Sequence, residues 1–133
     1  MINFVTEHKV RAGDSRELEL SNDSVALVVT SPPYPMIAQW DSQFGPKGSL
    51  IKTALEKGDY HTAFNNMHSQ LDKTWSEVAR VVMPGGIVCV NVGDAVRTIG
   101  GKFQLFPNHI RIAQSFLNLG YTSLPGIIWR KET

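Results

Sequence analysis

The 133-residue sequence contains a single cysteine, Cys89, and one thiol can form neither an internal disulfide nor a cysteine-based zinc site. That usage fits a reducing setting, and the expected localisation is cytoplasmic. An excess of one charge is missing too: 13 Lys and Arg stand against 12 Asp and Glu, a net charge of +1. A domain that lives on phosphate contacts is usually strongly basic, and bulk charge gives no such footprint here. Long hydrophobic runs are absent. Val25 to Val29 is typical of those present, far short of the ~20 residues of a membrane helix. Met1 to Arg11 lacks the apolar stretch and small-residue cleavage pattern of a signal peptide, so a soluble protein without membrane attachment is expected. No repeat and no low-complexity segment appears. The four histidines share no metal-ligand spacing, and no metal is expected. They read as ordinary surface or half-buried residues.

What remains is the pattern of one compact α/β unit. Val25 to Thr30 is a β-branched apolar run stopped by Ser31-Pro32-Pro33, and Ile87 to Val92 is a second, entered through Pro84-Gly85-Gly86 and left through Gly93-Asp94. Both read as strands buried on both faces, with Cys89 inside. Between them Tyr60, Phe64, Met67, Leu71, Trp75, Val78 and Val82 recur at spacings of three and four, the stripe of a helix about six turns long that covers a sheet. After a Gly-rich turn at Ile99 to Lys102, Ile110, Ala113, Phe116 and Leu117 keep helical spacing until Gly120. Lys9 to Ala12 and Gly126 to Trp129 read as further short strands. The alternation βαβαβαβ implies mostly parallel pairing with right-handed crossovers. Pro35 to Gly58 fits neither period and follows directly on a strand's C-terminal end, where open α/β sheets place their ligands.

Ser31-Pro32-Pro33-Tyr34 carries the most information. Consecutive prolines lack a backbone N–H and have restricted φ, so they end a strand ladder and leave a stiff turn with unengaged carbonyls. The Ser31 hydroxyl and the Pro32 carbonyl then form an acceptor pair. Such a pair suits alkylation of an exocyclic amine on a nucleobase, whose nitrogen lone pair is delocalised into the ring until its hydrogens are held out of plane. Tyr34 offers a flat face for the base, and a base inside duplex DNA must first be flipped out of the stack. A proline-terminated strand in any α/β protein is the plain alternative for the tetrapeptide taken alone.

Gly13-Asp14-Ser15, Ser24-Val25, the strand into Thr30-Ser31-Pro32-Pro33-Tyr34, the segment Arg80 to Gly86, Val90-Asn91-Val92-Gly93-Asp94, and Gly120-Tyr121 followed by Ile128-Trp129-Arg130-Lys131 together resemble the catalytic block of S-adenosylmethionine-dependent amino-methyltransferases of DNA. The resemblance implies a Rossmann-like methyltransferase sheet, with Ser31, Pro32, Pro33 and Tyr34 as the catalytic loop. It also implies S-adenosylmethionine as cofactor and double-stranded DNA as partner, with restriction-modification as the setting. Serine in the first position is similar to the cytosine-N4 branch, with adenine N6 the alternative. Asp14, Thr30 and Ser31 become candidate cofactor contacts.

The family's Phe-x-Gly-x-Gly strand and turn, which hold the methionine part of the cofactor, follow a target-recognition region in the complete arrangement. Neither is found here: Gly85-Gly86 and Gly100-Gly101 are isolated pairs that read as turns. The expectation is therefore the catalytic half of a methyltransferase domain over residues 1–133. A split-enzyme subunit served by a second chain or a homo-oligomer, a truncated form, and a decayed, non-catalytic remnant all stay open. Asn91 and Asp94, at the end of the second strand, are candidates to orient the amine or brace the loop, or else strand-end caps. Trp40 is a candidate wall of the base pocket, or part of a satellite hydrophobic cluster. Lys47, Lys52, Lys57, Arg97 and Lys102 flank the presumed cleft and could meet phosphates or simply face solvent.

Overall fold

The computed structural model describes residues 5–46, 48–99 and 101–130. Strand β1 (Val25–Thr30) is followed by a 3-10 turn (Ala38–Trp40) and helices α1 (Asp41–Phe44), α2 (Leu50–Glu56) and α3 (Tyr60–Val81). Then come β2 (Val82–Val90), β3 (Ala95–Ile99), β4 (Lys102–Phe106) and α4 (Asn108–Asn118). The molecule is a mixed α/β unit, in which β1 and β2 pair in parallel and β3 and β4 form an antiparallel hairpin.

The long apolar stripe forms the helix it predicts. Asp59 caps α3 by accepting the Thr62 N–H, and Ala63, Met67, Leu71, Trp75, Val78 and Val81 are buried along one face. β2 then runs parallel to β1 in the register Leu27↔Ile87 to Thr30↔Val90, with Val25 opposite Val82. One residue, Ala26, therefore faces four, Met83 to Gly86, and this bulge switches which side chains meet the core. Val25, Val28, Val88 and Val90 pack against it. Leu27, Val29 and Ile87 are exposed, Val29 at 72%.

Several expectations are corrected. The strands are buried on one face instead of two, because among the described residues no layer lies over Leu27, Val29 and Ile87, and Cys89 on the same face is exposed. Lys9 to Ala12 and Gly126 to Trp129 do not form strands. A strand must satisfy its backbone on a neighbour, and the described pairings are β1 with β2 and β3 with β4. Ile127 and Ile128 stand 96% and 94% exposed. Among the described residues parallel pairing is thus confined to β1–β2. The Gly-rich turn joins a hairpin that the βα alternation concealed, with Gly101 at φ +77.

α4 turns inward a face rotated from the one its apolar residues suggest, keeping Phe116, which packs on Trp75, and leaving others out. Ile112, Ser115 and Asn108 are buried, whereas Ile110 and Leu117 are exposed. The reason is polar: Asp72 of α3 accepts from the Ser115 hydroxyl at 2.6 Å and pairs with Arg111 at 2.6 Å, and these bonds set the helix's rotation. No described helix is long and apolar enough to cross a membrane.

Candidate active site

The loop after β1 is built around its prolines. The Ser31 and Tyr34 hydroxyls are hydrogen-bonded at 3.1 Å, so the two candidate side chains of the tetrapeptide are in contact. The Tyr34 carbonyl accepts the Ile37 N–H at 3.2 Å, closing a turn over Pro35 and Met36, both buried. Met36 has φ +66, a left-handed conformation that costs a non-glycine residue about 1–2 kcal/mol. Its surroundings impose it: the side chain is buried, its N–H meets Met67 Sδ at 3.3 Å, and its carbonyl accepts from Arg97 Nε at 2.7 Å.

The loop after β2 lies beside it. The Asn91 N–H donates to the Thr30 carbonyl at 2.8 Å, extending the ladder one residue past β2. The Tyr34 ring lies against Gly93, where an added Cβ would sit 3.3 Å from a ring carbon. Two carbonyls, Pro35 O and Gly93 O, accept from the same Asn108 Nδ2 at 2.9 and 3.0 Å. With both Nδ2 hydrogens so engaged, Asn108 Oδ1 accepts from His68 Nε2 at 2.9 Å, which fixes the ring as the Nε2–H tautomer. His68 is wholly buried, and its Nδ1 has no partner among the described residues. Burial lowers its pKa to about 4, the bond to Asn108 opposing in part. The imidazole is neutral at physiological pH. His68 corrects the expectation of surface or half-buried histidines.

The remaining candidates are dispersed. Asp94 accepts from the His109 backbone N–H at 3.1 Å and from His109 Nδ1 at 2.8 Å, which places it as a brace on the first turn of α4. The Asn91 side chain is exposed. Trp40 packs on the margin of the core. Asp14 sits in a segment strapped to α3, where the Ser15 hydroxyl lies 3.3 Å from that of Thr74. The Arg16 guanidinium grips the Asp14 carboxylate and, with the Arg16 N–H, holds its pKa down to about 2. Arg97 is committed to Met36 O and to Asp41 at 2.5 Å, which removes it from the phosphate candidates. Lys52 lies 3.9 Å from Glu56; Lys47 is outside the described residues.

Sequence reasoning missed Asn108, His68 and Met36. His68 follows Met67 on the inner face of α3, a signal that was available. Nothing in Phe106-Pro107-Asn108 marks the asparagine as buried, since that position ordinarily caps a helix in solvent.

A proline-bounded loop at the C-terminal end of a parallel strand, with paired hydroxyls and a second loop stitched against it, lies where open α/β sheets place their ligands. A family model described as DNA methylase, that of the N6/N4 methylases, matches residues 25–133. The type II methyltransferase M.MthZI of Methanothermobacter thermautotrophicus is 47% identical over 132 residues, 96% of this chain and 37% of that protein. M.MjaI of Methanocaldococcus jannaschii, also a type II methyltransferase, is 44% identical over 144 residues, 99% of this chain and 48% of that protein. TTHA0409 of Thermus thermophilus, a proposed DNA modification methylase solved with S-adenosyl-L-methionine, superposes with a TM-score of 0.63 at 29% identity, over 90% of this chain and 47% of its own. The chain belongs to the N6/N4 DNA methylase family. It spans less than half the length of these relatives.

Proposed function

We propose that this chain is the amine-activating part of an S-adenosylmethionine-dependent DNA methyltransferase of the type II restriction-modification kind, and that its target is cytosine N4. The observation that carries the reading is the Ser31–Tyr34 hydroxyl pair at the end of β1, in a chain whose family is that of the N6/N4 methylases. A serine hydroxyl has one hydrogen and two acceptor lone pairs. When Ser31 donates to Tyr34 Oη, both lone pairs are available to an amine, and with the Pro32 carbonyl they can hold the two N–H bonds out of the base plane. The nitrogen lone pair would then be free for in-line attack on a sulfonium methyl group, the C–S bond breaking as the N–C bond forms, the thioether leaving and one N–H proton passing to water. Tyr34 would stack on the flipped base, its ring backed by Gly93.

The methyl donor would be S-adenosylmethionine, which a solved relative binds. The described residues do not form a cradle for it. Asp14 is engaged by Arg16, Gly85 and Gly86 lie in the β1–β2 bulge, and Gly101 sits in a hairpin. Donor binding is therefore assigned to the part of the relatives that lies outside this match, and the Rossmann-like sheet to the union of the two. Duplex DNA is the substrate under this reading, and a partner chain or a continuous longer chain would supply the remainder.

Ser31→Ala removes one preorganised acceptor and should slow single-turnover methylation by the assembled enzyme roughly a hundredfold, about 3 kcal/mol, with cofactor affinity little changed. Tyr34→Ala should weaken DNA engagement by about 1–3 kcal/mol instead. Full chemical rate in Ser31→Ala would remove the amine-activation role. A product identified by mass as N6-methyladenine would overturn the cytosine assignment alone.

A further inference from the structure

We propose that Asn108, oriented by His68, is a positioning residue that locks the loop after β1 and the loop after β2 into one register, so that Ser31 and Tyr34 face a single cleft. The proposal rests on the functional reading above for its significance, but its geometry stands independently. Asn108 Nδ2 is the shared donor to Pro35 O and Gly93 O. Pro35 adjoins Tyr34, and Gly93 backs the Tyr34 ring, so one amide group fixes both the tether and the wall of the aromatic side chain. The amide has only one way round: its Oδ1 is claimed by His68 Nε2 at 2.9 Å, and reversing it would set an oxygen against two carbonyls. His68 is itself fixed by burial and by the Phe64 ring, packed edge-on with centroids 4.5 Å apart. A bond from α3 thus reaches the loops through α4's first residue.

A buried amide that merely filled space would need only one partner. Here every hydrogen-bonding atom of the Asn108 side chain is used, and its two acceptors come from different loops, 58 residues apart in sequence (Pro35 and Gly93). Removing it leaves both carbonyls without their shared donor. The second brace, Arg97 on Met36 O, reaches the far side of the same turn from β3 and bonds to neither Pro35 nor Gly93. To the Asn91 N–H bond at the strand ends Asn108 therefore adds the side-chain link between Pro35 and Gly93, on either side of Tyr34.

The test compares four variants of the chain by amide hydrogen exchange. Asn108→Ala removes every bond, and Asn108→Asp keeps the acceptor for His68 but loses the donors. His68→Gln retains a side-chain N–H for Asn108 Oδ1, and His68→Phe does not. The reporters are the Asn91 amide, which bonds to the end of β1, and the Met36 and Ile37 amides, which hold the loop after β1 to α3 and to itself, with the middle of α3 as the reference. The expected result is exchange at the reporters about tenfold faster in Asn108→Ala, Asn108→Asp and His68→Phe, near parental rates in His68→Gln, and unchanged protection in α3. Parental exchange at the reporters in both Asn108 variants overturns the proposal. So does an equal loss of protection in the loops and α3, since that describes general packing. In the assembled enzyme the single-turnover rate should fall at least tenfold in Asn108→Asp at unchanged cofactor affinity. An assembled parent enzyme that methylates no DNA would refute the functional reading and leave the exchange result to decide the clamp.

Discussion

His68 and Glu77, together with the lowered Asp14 and Asp59, shape how the fold meets acid. The folded pKa of His68 is depressed to about 4 from 6.5, chiefly by burial. The unfolded chain then binds the extra proton first, so His68's contribution to stability is complete above about pH 6.5 and declines as pH falls toward 4. Glu77 accepts from Arg80 Nε and Nη2 at 2.8 Å and from the Leu18 N–H at 2.9 Å, and these donors, Arg80 foremost, lower its pKa from 4.5 to about 2. Its contribution is present above about 4.5 and is lost as pH falls toward 2. Denaturant unfolding followed across this range should show two losses. His68→Gln should flatten the first and Glu77→Gln should reduce the second, which Asp14 and Asp59 share, and a parental profile in either variant would refute that assignment. Residues of this kind are the hardest to read from sequence. Ser31 and Tyr34 are legible because two prolines isolate them, whereas the role of Asn108 depends on carbonyls 73 and 15 positions away.

At the scale of elements, the join between β1 and β2 depends on a bulge that only two glycines permit. Gly85 has φ +80, so alanine there is strained by about 1 kcal/mol although nothing lies within 4 Å of its Cβ position. Gly86 has ordinary φ but no space: a Cβ would sit 2.7 Å from Val82 Cγ1, 2.9 Å from the Met83 carbonyl and 3.1 Å from the Ala26 carbonyl. Two of these are backbone atoms of the paired strands, so they cannot yield without disturbing the ladder. Gly86→Ala should therefore cost more than Gly85→Ala, about 2–3 kcal/mol, read as a drop in the urea midpoint at unchanged slope. The reverse order would show that the bulge is more plastic than its contacts imply. β1, β2 and α3 were readable from sequence because one side chain in two or in three to four must face a core. α4 is readable as a helix, but its inward face is set by Asp72, Arg111 and Ser115, which an apolar count overlooks. The hairpin β3–β4 was masked by the expectation of a helix between parallel strands.

Across the whole molecule, an uncovered sheet face follows from the same register. The bulge sends Val25, Val28, Val88 and Val90 to the core and leaves Leu27, Val29, Ile87 and Cys89 on the opposite side, exposed. Strands this apolar on both faces are the pattern of a sheet covered on both, which is why the sequence predicted two buried faces; the covering layer is not among the described residues. The relatives are more than twice as long as the segment matched here. For the 133-residue chain by itself, a contiguous apolar face beside an open strand edge favours association and dye binding. Leu27→Thr with Val29→Thr should reduce both, because threonine keeps the β preference of the strand while making its outer face polar. Neither side chain contributes to the core, so unfolding free energy should change by no more than about 0.5 kcal/mol per site. Phe103→Thr on β4, exposed at 73% but in the other sheet, serves as the comparison. If the double variant binds an apolar dye and sediments as the parent does, while Phe103→Thr lowers both, the exposed face that matters is the hairpin's and the β1–β2 face is inert.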